Sequence, residues 1–403
     1  MCGLETLLFH FLNKETFLCS VFNTKIMKVL ERFNALKAIF DFNKNCAIEN
    51  SPLEIVSSSF TVEEKNKDLA ILQKSFENSF GCHLSDYSVS ENNSFNYPIF
   101  RYKGSKKNSS VIILLHGLNE RSWEKYLCWA EFLALHTGKP VLLFPIAFHV
   151  NRTPSNWYLP RAVSNYVSER RNILHSPENL SVANIALSDR LTDNPLRFYT
   201  SGKETIDNIC QLLMQIKQGR NRYFTEDAKV DFFTYSIGSL LGQVMLLSNP
   251  ESLFSDSKLF MFCGGSVFNK MNGNSRYIMD KVAFSKLFDY YQYTFLNNLD
   301  KQDTCDQAFK SMIDANVMKE YREKSFLQAA SRIKAISLKK DTVIPTQGIR
   351  KALGDICAEK CLTEYDFSFE YCHEMPFPMQ EKYAEEVDVM FDKVFSIAGD
   401  FLC

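Results

Sequence analysis

Three side chains that could together activate a hydroxyl each stand at the end of an apolar run. Ser236 follows VDFFTY, Asp341 closes RIKAISLKKD, and His373 follows DFSFEYC. A serine hydroxyl is a poor nucleophile at neutral pH and needs a base to take its proton. Of the seven histidines, His373 is the one that comes after Ser236. The base in turn needs an acid that holds its tautomer and stabilises the imidazolium. Asp341 suits that role, with Asp280 and Glu374 as competing acids. A fourth polar position, His116-Gly117, closes the run VIILLHG. In an open parallel sheet, ligands bind beyond the carboxyl ends of the strands, so these positions point to one edge of a sheet.

The elements that must carry them follow from hydrophobic patterning. From Val111 onward, short continuous apolar runs alternate with helical stretches, the pattern of strands buried on both faces of a parallel sheet. Strands are expected at VIILLHG, PVLLFPI, VDFFTYS, KLFMFCGG, RIKAISLKKD and DFSFEYC, the last ending at Cys372. Helices are expected over 122–136, 239–247, 346–353 and 381–398, and one or two further strands within 86–103. Upstream, Ile26, Val29, Leu30, Phe33, Leu36 and Phe40 recur at helical spacing, so residues 1–60 read as an N-terminal helical extension. Thr61 with Glu64 forms a capping-box signature for a helix through Leu69, Leu72, Phe76 and Phe80 that stops at Gly81.

The α/β domain then spans 61–403. Two intervals exceed the roughly 30 residues of a βαβ unit and imply insertions at about 149–200 and 267–331. The second holds Phe284, Phe288, Tyr290, Tyr291, Tyr293 and Phe295. These aromatics read either as a helical core segment or as a lid over a pocket.

Composition narrows the class. With 46 Lys+Arg against 47 Asp+Glu, nothing favours a nucleic-acid partner. The 45 % hydrophobic content and 34 Phe predict a well-filled core. Twelve scattered cysteines read as reduced thiols, and the pair Cys357 and Cys361 lacks partners for a metal site. Glu5, His10, Lys14 and Glu15 interrupt the apolar N-terminus, which argues against a signal peptide. No window matches the ~20 apolar residues of a membrane span. A cytoplasmic setting is therefore expected. SGKET has Arg197 where a P-loop needs its first glycine and Glu204 where it needs Ser or Thr. No cofactor and no metal are expected.

Taken together, these motifs resemble the α/β-hydrolase superfamily over about residues 95–400. Thr234-Tyr235-Ser236-Ile237-Gly238 is similar to the family's G-x-S-x-G nucleophile elbow, with Thr234 in place of its first glycine. HGLNERSW resembles its oxyanion loop, KKDTVIP its acid loop and CHEMPFP its terminal histidine loop. The resemblance implies an α/β-hydrolase fold, a mostly parallel twisted sheet with helices on both faces. It implies Ser236 as nucleophile, His373 as general base and Asp341 as orienting acid. The oxyanion hole would use the backbone N–H of Leu118 or Asn119 together with that of Ile237. The activity implied is a carboxylesterase- or lipase-like serine hydrolase acting on an ester, thioester or amide of a small-molecule acyl substrate. An acyltransferase on the same triad and a non-catalytic binding protein of this fold are the alternatives. His116 reads as a structural residue of its loop, and His149 and His175 as surface or pocket polar residues of the first insertion.

Overall fold

The computed structural model of the protein describes residues 28–63, 86, 89–297 and 303–403. The strands described are β1 (Cys46–Ala47), β2 (Leu53–Thr61), β3 (Ser94–Tyr102), β4 (Asn108–Leu115), β5 (Val141–Leu143), β6 (Phe224–Tyr235), β7 (Leu259–Phe262), β8 (Ile333–Leu338) and β9 (Leu362–Tyr365). They pair in the order β1-β2-β3-β5-β4-β6-β7-β8-β9. From β5 across to β9 every pairing is parallel, while β1, β2 and β3 join antiparallel at one edge. The inner parallel strands are continuous apolar runs because both faces are covered. Along β6, Phe232 enters one core cluster and Phe233 the other.

One layer holds α1 (Val29–Ile39), α2 (Glu124–Thr137) and, at the C-terminus, α12 (Ala384–Leu402). The opposite layer holds α5 (Arg197–Lys217), α6 (Ile237–Ser248) and α10 (Thr346–Leu353). Between β5 and α5 lie α3 (Pro160–Ile173) and α4 (Ile185–Asp193). Between β7 and β8 lie α7 (Lys281–Tyr293), α8 (Thr304–Ser311) and α9 (Lys319–Gln328), and α11 (Asp355–Cys361) precedes β9. Leaving β1 aside, the strand order and the single antiparallel hairpin edge are those of the α/β-hydrolase fold. No helix among the described residues is long and apolar enough to cross a membrane.

Two expectations need correction. Residues 1–60 are not a purely helical extension: α1 is present, but β1 and β2 follow it and add to the sheet edge. The polar run Ser57-Ser58-Ser59 conceals β2, which is a strand because it pairs along its whole length with β3. DFSFEYC is not a strand. Phe367 and Phe369 alternate inward as strand residues would, but they pack on Phe377 and Tyr383 from an irregular loop. The strand beside β8 is instead the half-exposed LTEY. Finally, Tyr291 and Phe295 of the aromatic segment are fully buried among Tyr199, Phe268 and Phe309, so the helical core reading holds there. Ile26 and the helix expected through Leu69 and Phe80 lie outside the described residues.

Candidate active site

Ser236 occupies the turn between β6 and α6 at φ 55° and ψ −121°. A side-chain-bearing residue is strained in this region, and such strain persists only where the surroundings over-determine it. Three close approaches do so here. A Cβ on Gly238 would lie 2.8 Å from the carbonyl oxygen of Leu115, and one on Gly264 would lie 2.6 Å from that of Ser236. Thr234 finds room against Gly242, which would meet the Thr234 methyl at 3.3 Å if it carried a Cβ. The Thr234 hydroxyl donates to the Phe260 carbonyl at 2.9 Å and lies 3.0 Å from the Ser239 hydroxyl. The departure from the glycine pattern is thus absorbed by a second glycine one helical turn on and by a satisfied hydroxyl.

Asp341 follows β8 in a turn that its own side chain builds. Its Oδ1 accepts the N–H groups of Val343 and Ile344 at 2.9 and 2.8 Å. That leaves Oδ2 for His373 Nδ1, at 2.7 Å. With Nδ1–H donating to the carboxylate, Nε2 presents its lone pair, and Ser236 Oγ lies 2.7 Å from it. All three side chains are buried. The structure therefore brings together the three residues singled out from the sequence.

The competing acids are occupied elsewhere. Asp280 caps the first turn of α7 through Ala283 N–H and forms a two-point ion pair with Arg170. Glu374 accepts from the Ser275 hydroxyl.

The model of a family of unknown function, DUF6051, matches residues 27–403. The chain belongs to that family. No curated protein matches it. Among solved structures, a mutant of the esterase rPPE is similar at 11 % identity, over 96 % of this chain and 94 % of that one, with a TM-score of 0.42. Carboxyl esterase 2 of the mycorrhizal fungus Tuber melanosporum is similar at 9 % identity, over 93 % and 97 %, with a TM-score of 0.43. A hyperthermophilic esterase from the archaeon Pyrobaculum calidifontis is similar at 11 % identity, over 94 % and 96 %, with a TM-score of 0.39.

In this DUF6051 chain the expected oxyanion residues flank the serine. Ile237 opens α6, while Leu118 and Asn119 form the turn after β4. Among the described residues, none of their three backbone N–H groups has a hydrogen-bond partner. The turn is braced from two sides. Gly117 N–H donates to the Tyr126 hydroxyl at 3.0 Å, which donates to Glu120 at 2.7 Å. Asn119, at φ 60°, donates through its side chain to Ala183 O at 2.8 Å and Tyr277 O at 2.7 Å, joining both insertions to the turn. On the other flank, the Tyr235 hydroxyl donates to the His373 carbonyl, and the two rings stack at 5.5 Å. Sequence reasoning missed Tyr126, Glu120 and the Tyr235 hydroxyl, and no spacing pattern would have found them.

A partly open pocket begins at Ile237 and the Leu118-Asn119 turn. Its walls are mainly apolar, including Phe148, Trp157, Leu187, Leu191 and Phe198. Most of these come from the first insertion; of the second, Phe309 alone takes part among the described residues.

His116 lies behind this wall, His149 is part of it, and His175 is exposed on a loop. His116 donates from Nδ1 to Gly117 O and accepts Ile146 N–H at Nε2, so it is a structural neutral imidazole. Burial, reinforced by His149, pushes its pKa well below the ordinary histidine range. Burial likewise lowers His149 to about 4.

A pH dependence of stability follows. An unfolded histidine gains its proton below about pH 6.5, whereas these two stay neutral in the fold, so stability is full above that pH and declines below it. His149 alone should withdraw about 2 kcal/mol by pH 5. Urea unfolding at pH 7.5 and 5.0 checks this: the midpoint should fall at the lower pH, and less so in His149→Phe. An unchanged midpoint would contradict it.

Proposed function

We propose that the chain is a serine hydrolase that cleaves an ester, thioester or amide of a small-molecule acyl substrate through an acyl-enzyme on Ser236. The observation that carries this reading is the unbroken relay from Ser236 Oγ to His373 Nε2 and from His373 Nδ1 to Asp341, with both links at 2.7 Å. As Oγ attacks the carbonyl carbon, Nε2 takes its proton. Asp341 stays ionised and stabilises the imidazolium. The developing oxyanion is met by Ile237 N–H, at the positive end of α6, and by an N–H of the Leu118-Asn119 turn. Collapse of the tetrahedral intermediate expels the leaving group, which receives the proton from His373. Water then enters, gives its proton to His373 and releases the acid.

The test is covalent. Incubation with a fluorophosphonate should add one adduct, and peptide mapping should locate it on Ser236. A chain that stays unlabelled, or that is labelled elsewhere, overturns the reading. Acyl transfer would use the same acyl-enzyme. Products unaffected by an added alcohol support hydrolysis, whereas a new ester would assign transfer.

A further inference from the structure

Within the wall of the cavity, His149 Nε2 has no hydrogen-bond partner among the described residues. His149 is 5 % exposed and lines the cavity beside Ile146, Phe148 and Trp157. Its Nδ1 lies 2.9 Å from the Ala147 carbonyl, which can only accept, so Nδ1 carries the proton and Nε2 is left as an acceptor. That Nε2 is buried, closed to solvent, and lacks a hydrogen-bond partner among the described residues. With its pKa near 4, the ring stays neutral at ordinary pH, so Nε2 stays an acceptor. An acceptor buried without a partner has lost its water hydrogen bonds with nothing in return. A merely structural histidine has no need of this arrangement: His116, 5.5 Å away, uses both its nitrogens.

We propose that His149 is a specificity-determining acceptor, and that the group filling the cavity carries a hydroxyl or amide N–H that pairs with its Nε2. The inference rests on the reading of Ser236 as nucleophile, because the cavity begins beside that residue. It narrows the substrate class from plain alkyl esters to esters, thioesters or amides bearing a hydrogen-bond donor in the bound chain. An apolar pocket separates such molecules poorly, since adding or removing a hydroxyl changes little there. A site built to pair with the hydroxyl rejects the analogue that lacks it far more strongly.

Binding and turnover can be read separately. The Ser236→Ala chain is titrated calorimetrically with ethyl butanoate, ethyl 2-hydroxybutanoate, ethyl 3-hydroxybutanoate, 2-hydroxyethyl butanoate and N-acetylglycine ethyl ester. At least one donor-bearing ester should bind about tenfold or more tightly than ethyl butanoate. Adding His149→Phe should erase that preference, because the ring shape stays while the acceptor goes. Ala147 O keeps the Ser201 hydroxyl as a donor at 2.9 Å, so the variant should fold. His149→Gln, which retains an acceptor, should keep part of the preference and serves if the Phe variant fails to fold. Equal or weaker binding of every donor-bearing ester overturns the inference, as does a preference that survives in the Phe variant. Fluorophosphonate labelling of the native chain reads the other claim: labelling without a binding preference sinks the His149 inference alone, and a preference without labelling sinks the nucleophile alone.

Discussion

Alanine at Ser236 or at His373 should each lower kcat on an activated ester by about 10⁴–10⁶, and the double variant should lose no more than the worse single one. The expectation follows from how the relay is built. Among the described residues, His373 Nε2 serves no group but Ser236 Oγ, at 2.7 Å, so once either partner is gone the other has no work left to do. Asp341 differs because it has two tasks. Oδ2 orients His373, while Oδ1 holds the turn through Val343 and Ile344. Asp341→Asn can keep an acceptor for that turn yet presents an amide that disfavours the working tautomer, so kcat should drop by about 10⁴ with little change in melting temperature. Asp341→Ala should lower both, because the two N–H groups lose their acceptor. Steady-state kinetics with melting curves on the five variants decide the matter. Additive losses, or a His373→Ala chain within tenfold of native, would refute a relay.

How much of this was legible in the sequence depends on how locally each feature is encoded. The parallel strands are continuous apolar runs, and the polar residue ending each run is fixed by its neighbours, so Ser236, Asp341 and the His116 loop could be placed from short stretches. His373 was found for a different reason: it is the one histidine after the serine, although the strand expected before it is an aromatic loop. β2 was hidden because its polar face looks like a linker, and only pairing with β3 makes it a strand. Side-chain partnerships between distant segments had no local signal. Nothing around Asn119 announces that its amide will bridge Ala183 and Tyr277, and nothing near Asp280 names Arg170. Aromatic density alone does not separate a core from a pocket wall. The dense cluster at Tyr291 and Phe295 fills a core, while the thinner apolar residues at Phe148, Trp157 and Leu191 surround empty space.

Gly238→Ala should abolish useful activity while changing no group that reacts. A Cβ at this position would lie 2.8 Å from both the Cβ and the carbonyl oxygen of Leu115, and 2.9 Å from the carbonyl oxygen of His116. These are atoms on or next to the backbone of β4 and its following turn, so no rotamer change relieves them. Either α6 or the turn must move. Overpacking of this kind costs about 1–3 kcal/mol, and the gain of about 1 kcal/mol from alanine's helix propensity does not offset it. Catalysis should suffer more than stability. The displaced elements carry Ile237 N–H on one side and the Leu118-Asn119 turn on the other, and a misplacement of about 1 Å between such groups costs about 10² in rate. Gly202→Ala is the comparison: in α5 its Cβ would meet only the tip of the Leu241 side chain, at 3.1 Å, which can give way. That variant should melt close to the native temperature. The Gly238 variant should lose about a hundredfold or more in kcat, together with several degrees of melting temperature. If it keeps kcat within tenfold of native, the approach of β4 to α6 does not set the distance between the oxyanion donors.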